Sequence, residues 1–96
     1  MRVVFHPEVQ RDVSNILRHY DAINDRLGDE FWEELNLFID LAAANPRRFH
    51  FEDDYRRRVN RQRFPYHFLF RELSNEIRIL VVRHHRRRPQ YGQERR

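Results

Sequence analysis

The sequence has no cysteine, no lysine, only two glycines and no long apolar run. Without cysteine there is no disulfide, no thiol nucleophile and no cysteine-liganded zinc. No stretch approaches the ~18 apolar residues that a membrane helix needs. The opening Met1–Glu8 also lacks the roughly 7–15-residue apolar region of a secretory signal. The expected setting is therefore cytoplasmic, with no membrane partner. None of the histidines pairs with another at i,i+4 spacing, so no metal is expected, and no other cofactor.

What is present fits one domain, residues 1–96, near the lower end of what a single hydrophobic core sustains. Eight Phe, four Tyr and one Trp supply that core, since each large aromatic buries ~150–250 Å². The formal net charge of +4 conceals a division. Residues 1–46 carry four arginines against nine acids, and residues 47–96 carry fifteen against six. A second half of that sign calls for an anionic partner, either nucleic acid or an acidic protein segment. Because every cation is Arg, bidentate contact with phosphate or carboxylate and stacking on rings are both open to it.

Arg2–Phe5, with β-branched Val3 and Val4, predicts a short strand. Pro7 suits the first position of a helix, and Val9, Val13, Ile16, Leu17 and Tyr20 follow at helical spacing. Arg11, Asp12, Ser14, Asn15 and Arg18 fall between them as the polar face. The stretch Asn24–Asp29, with Gly28 in it, predicts the turn into a second helix. That helix has the stripe Phe31, Leu35, Phe38, Ile39 and Ala42, and Asn45-Pro46 ends it. From Arg47 the period changes. Tyr55–Arg63 alternates loosely, Tyr66–Leu73 is aromatic and extended, and Ser74-Asn75 is a polar turn. Ile77–His84 is the strongest strand, apolar on both faces as a central strand should be. A basic tail runs from about residue 86 to Arg96, interrupted by Pro89 and Gly92. The order β-α-α-β-β-β predicts an α+β fold, an antiparallel helical hairpin packed on a three- to four-stranded, mainly antiparallel sheet.

Several short stretches, in order, resemble the RelE/ParE superfamily of toxins. They are Phe5-His6-Pro7-Glu8, Leu27-Gly28-Asp29-Glu30-Phe31-Trp32-Glu33-Glu34-Leu35, Asn45-Pro46, Arg57-Arg58-Val59, Arg63-Phe64-Pro65-Tyr66 and Val82–Tyr91. One departure is that many relatives place Trp after the tail tyrosine, where this chain has Gly92. The resemblance implies the toxin of a type II toxin–antitoxin system, with growth inhibition and plasmid stabilisation as its setting. A cognate antitoxin would neutralise it through an acidic or amphipathic segment that orders on binding, giving a hetero-oligomer. ParE-like members poison DNA gyrase without a recognised active site. RelE-like members cut messenger RNA in the ribosome using Arg, Lys, His and Tyr side chains. Where RelE-like nucleases tend to carry lysines, this chain reads Arg58-Val59-Asn60-Arg61. That replacement, with Phe64-Pro65-Tyr66 and the tail, leans toward the ParE-like branch. A non-toxic nucleic-acid-binding relative is the third alternative.

If the chain is an enzyme, it is a metal-independent endoribonuclease. Such cleavage needs a base for the 2′-hydroxyl, cations beside the developing phosphorane and an acid for the leaving oxygen. His84 or His85 suits the proton transfers, Arg58 the charge, and Tyr91 stacking or proton donation. Without chemistry, Arg57, Arg58, Arg71, Arg86, Arg87, Arg88 and Tyr91 read as one surface for a target or nucleic acid. Structural roles compete at several of these places. Tyr66, Phe68 and Phe70 alternate as core residues, and His67 reads as a structural or solvent-facing histidine. His84 and His85, being adjacent on a strand, should point to opposite faces. Glu52-Asp53-Asp54 reads as a solvated loop, and Glu33-Glu34 as the wet face of the second helix.

Overall fold

In the computed structural model, which describes residues 1–96, each sequence-predicted element forms. Strand β1 is Arg2–Phe5, helix α1 Val9–Ile23, helix α2 Asp25–Ala44, strand β2 Arg57–Asn60, strand β3 Tyr66–Glu72 and strand β4 Glu76–His84, with one 3₁₀ turn at Pro46–Arg48. No helix is long and apolar enough to cross a membrane. Pro7 stands two residues ahead of α1, and the free Glu8 N–H at the helix entrance donates to His6 Nδ1 at 3.1 Å.

The helix–helix turn differs from expectation. Asn24 alone joins the helices, and as the N-cap of α2 its Oδ1 accepts from Arg26 N–H at 2.8 Å, which satisfies one of the donors a helix start leaves free. Gly28 lies within α2. A Cβ there would meet only the Asp21 carboxylate of α1, the mobile end of a side chain, so the residue is not part of the turn.

The sheet has the order β1-β4-β3-β2. β1 runs parallel to β4, while β4–β3 and β3–β2 are antiparallel. Both helices cover one face. Val9, Val13, Ile16, Phe31, Leu35, Ile39 and Ala42 meet Val59, Tyr66, Phe68, Phe70, Ile77, Ile79 and Val82 there in one buried cluster. This is the core role read for Tyr66, Phe68 and Phe70. The register shifts at Leu69/Phe70, so that Leu69 faces Val81 while Phe70 faces Ile79. Leu80 is the extra residue of a bulge. β1 stops at the same place, its last partner being Ile79. The remainder of β4 thus lacks a neighbour on that edge, and something else must satisfy it.

Candidate functional site

The open edge of β4 is closed by a carboxylate and by the tail. Asp12, on a face of α1 that reads as polar, is buried. Its Oδ2 accepts from the Val82 backbone N–H at 3.1 Å and from Arg95 Nη1 at 2.6 Å, and its Oδ1 accepts from the Tyr91 hydroxyl at 2.6 Å. Arg95 Nη1 also donates to the Leu80 carbonyl at 3.1 Å. Two backbone groups that β1 would have paired are therefore held by side chains. Gly92 sits between Tyr91 and Arg95 with φ of 79° and lies directly on Val81. Arg83 Nη1 donates to the carbonyls of Pro89 and Tyr91 at 2.9 and 3.0 Å. The tail is thereby folded onto the sheet. Tyr91 is raised above its usual pKa, first by burial and then by its bond to Asp12. Arg95 is raised too. Burial opposes its charge, but the hydrogen bond and attraction of Asp12 outweigh that.

His84 and His85 diverge as expected. His84 stands edge-on to Tyr66, ring centroids 5.0 Å apart, and its Nδ1 accepts from the Arg86 N–H at 3.0 Å. It lines a cleft of about 190 Å³ with His19, Arg87 and Tyr91. His85 stacks on His67, planes 10° apart, with Nδ1 to Nδ1 at 3.0 Å. The direction of that bond follows from its neighbour. Arg83 Nε can only donate, and it does so to His67 Nε2 at 2.9 Å, so the His67 proton is on Nδ1. His85 Nδ1 must then accept, which leaves the His85 proton on Nε2. The base-capable nitrogen of His85 is consumed, and what faces outward is an N–H donor. Burial, reinforced by the nearby Arg58 and Arg83 charges, lowers His67 to about 3. His85 is lowered in the same sense, by burial first and then by Arg58 and His84. His67 is 1% exposed, a structural histidine in full.

The second half's arginines divide between the interior and the surface. Two are internal struts to first-half acids, Arg61 to Glu34 at 2.9 Å and Arg95 to Asp12, while Arg63 reaches Glu30 from an exposed position. Arg61 is buried against the Phe31 ring at 3.8 Å and also donates to the Phe31 carbonyl. Its charge is disfavoured by burial and sustained by Glu34. Glu34 is consequently not wet, as it also accepts from Arg63 N–H at 3.1 Å, whereas Glu33 is exposed. The Glu52–Asp54 loop is likewise structured. Asp53 accepts from Tyr55 N–H and Arg56 N–H and pairs with Arg56. Burial works against its charge, and the bonds from Arg56 outweigh it and hold the carboxyl below its usual range. Glu52 lies 3.4 Å from Arg58 and 3.5 Å from Arg83.

Of the named candidates, Arg57 donates to the Phe49 carbonyl at 2.8 Å and stacks on Phe51 at 4.0 Å. Arg58 is tied to Asn60 at 2.8 Å as well as to Glu52. Arg71 stands over Tyr55 at 5.3 Å. Arg86, Arg87 and Arg88 are exposed, and Arg87 covers Tyr91 at 4.1 Å. Arg71 pairs in register with Arg78, six positions from His84 along β4. At ~3.3 Å per residue the two groups are about 20 Å apart. Signals for the missed Asp12–Arg95 clasp were faint: an acid on a polar helix face, and an arginine in a tail that reads as solvated.

No protein-family model matches the chain, and no curated protein matches it in sequence. A chain of the chromosomal ParDE TA system from P. aeruginosa is similar in structure, with a TM-score of 0.77 and 18% identity over 88% of this chain and 95% of that one. The helical hairpin on a sheet of three to four strands that the element order predicted is the fold this chain has, with four strands, and it shares that fold with the ParDE chain.

Proposed function

We propose that this chain is the toxin of a type II toxin–antitoxin pair, that it acts by protein–protein contact in poisoning DNA gyrase, and that a cognate antitoxin neutralises it. One observation supports contact over catalysis: each of the groups best suited to acid–base work has an atom already engaged in the fold. The Tyr91 hydroxyl donates to Asp12, His84 Nδ1 accepts from Arg86, and His85 Nδ1 accepts from His67. Arg86–Arg88, by contrast, have no carboxylate partner among the ion pairs of the domain and stand exposed for a target, with Arg87 braced on Tyr91.

A neutralising partner is supported by a second feature. Between the end of β1 and the two helices lies a hollow of about 520 Å³, lined by Phe5, Val13, Leu17, Trp32, Leu35 and Ile39 among others. Phe5 and Trp32 are about half exposed, at 50% and 48%. Such a groove suits the apolar side of an amphipathic segment.

The endoribonuclease reading keeps one support, the cleft that gathers His19, His84, Arg87 and Tyr91. Induced expression separates the two. Gyrase cleavage complexes and a DNA-damage response are the expected outcome. Rapid loss of translation with cut transcripts and intact gyrase would replace this reading with the nuclease one.

A further inference from the structure

On the sheet face away from the helices, three guanidinium groups converge on one ring. Arg71, Arg96 and Arg56 lie 5.3, 4.8 and 5.7 Å from the centroid of Tyr55. Arg78 joins them by donating to the Arg96 carbonyl at 3.3 Å, and Arg71 and Arg78 are direct cross-strand partners. Like charges placed opposite each other on neighbouring strands oppose pairing. Arg71 and Arg96 have no carboxylate partner, and the buried Nε of Arg78 has no acceptor at all. Arg56 and Arg78 pair with Asp53 and Glu76, so the donors left short of an anion are those of Arg71 and Arg96.

We propose that Arg71, Arg78 and Arg96, gathered around Tyr55, form a docking site for the carboxylates of an acidic, extended segment of a protein partner. Two observations favour carboxylate over nucleic acid. A carboxylate already shows the fit on this surface, where Glu76 is seated between Arg2 at 2.7 Å and Arg78 at 3.1 Å. The Tyr55 ring, which a nucleobase would need for stacking, is taken by guanidinium groups. A partner strand bearing acids on alternate residues would place successive carboxylates on one side and continue the ladder that Glu76 begins. This deepens the toxin reading by stating where the acidic part of an antitoxin sits, and its test does not pass through toxicity.

The test measures binding of a fluorescein-labelled oligoglutamate peptide and of a single-stranded DNA of matched charge to the full chain by anisotropy at low salt. Arg71→Gln/Arg96→Gln is expected to weaken the peptide about ten-fold, a loss of the size that removing charged hydrogen bonds produces. Arg18→Gln/Arg26→Gln removes the same charge from the helices and should change it less than three-fold. Tyr55→Leu, which takes away the platform but no charge, should weaken it as well. Equal losses in the two double variants would reduce the effect to net charge and overturn the proposal. So would a loss confined to the DNA, which would make the face a nucleic-acid surface. Failure in either form leaves gyrase poisoning untouched, and loss of gyrase poisoning leaves this assay unchanged.

Discussion

Asp12 and Arg95, 83 positions apart in the chain, form an ion pair at 2.6 Å in which the side chains are 1% and 6% exposed. The pair joins the first turns of α1 to the tail across the unpaired end of β4. Removing one partner of a buried pair leaves the other charge without compensation, at a cost of ~3–5 kcal/mol. Asp12→Ala is therefore expected to lose about that much stability in urea unfolding. It should also free the tail, so that trypsin cuts at Arg86–Arg88 faster than in the parent. Tyr91→Phe removes only one hydrogen bond and should cost about 1 kcal/mol. An Asp12→Ala protein that melts like the parent, with an unchanged rate of tail cleavage, would show that the clasp does not hold the tail.

The layering of this fold was legible because periodicity reports burial. The stripe from Val9 to Ile16 and the apolar run from Ile77 to Val82 mark which surfaces must leave water, and they form the core. The divergence of His84 and His85 followed from strand geometry alone. What stayed hidden depended on pairings distant in sequence. Asp12 at a polar position and Arg95 in an Arg-rich tail each look solvated by themselves, and only the early end of β1 creates the backbone groups they serve. The charge division misled in a similar way. Glu34 and Asp12 hold Arg61 and Arg95 inside, so part of the second half's excess charge neutralises the first half and never reaches a surface.

Gly92 shows why the tail tyrosine is followed by glycine here. Its φ of 79° is costly for any residue with a Cβ, and a Cβ there would sit 2.8 Å from Val81 Cγ2. Left-handed backbone adds ~1–2 kcal/mol for a non-glycine residue, and forcing a contact in a packed site adds ~1–3 kcal/mol. Gly92→Ala is expected to lower stability by about 2–5 kcal/mol in chemical denaturation. Ala at the exposed neighbour Gln93 should stay within ~0.5 kcal/mol. A neutral Gly92→Ala would mean that the tail lifts from Val81 without consequence.

Acid should unfold the domain partly through His67. Its ordinary pKa of 6.5 falls to about 3 in the fold, since burial disfavours the charged ring and the Arg58 and Arg83 guanidinium groups repel it. For a group whose pKa is depressed by folding, the stabilisation is complete above the unfolded value and is lost as pH falls toward the folded one. The window here runs from about 6.5 down to about 3, and the full difference is at most roughly 4–5 kcal/mol. His67→Gln retains an acceptor for Arg83 and a donor for His85 but does not titrate. Its melting temperature should fall less steeply than the parent's across that window, while carboxylate contributions cancel in the comparison. Parallel profiles would place the acid sensitivity elsewhere.

His84→Ala separates contact from catalysis at the candidate histidine that lines the cleft with His19, Arg87 and Tyr91. The ring packs edge-on against Tyr66, and its Nδ1 is held by the Arg86 N–H, so its loss trims a surface contact without emptying the core. Aromatic pair geometry of this kind contributes ~0.5–1.5 kcal/mol, and the variant should remain folded by circular dichroism. A toxin that works by binding its target tolerates this change, so growth arrest on induction should persist, with transcripts intact and gyrase cleavage complexes still formed. If the folded variant no longer arrests growth while Arg86→Gln/Arg87→Gln/Arg88→Gln still does, proton transfer by His84 is required. The cleft it shares with His19 and Tyr91 would then be an active site.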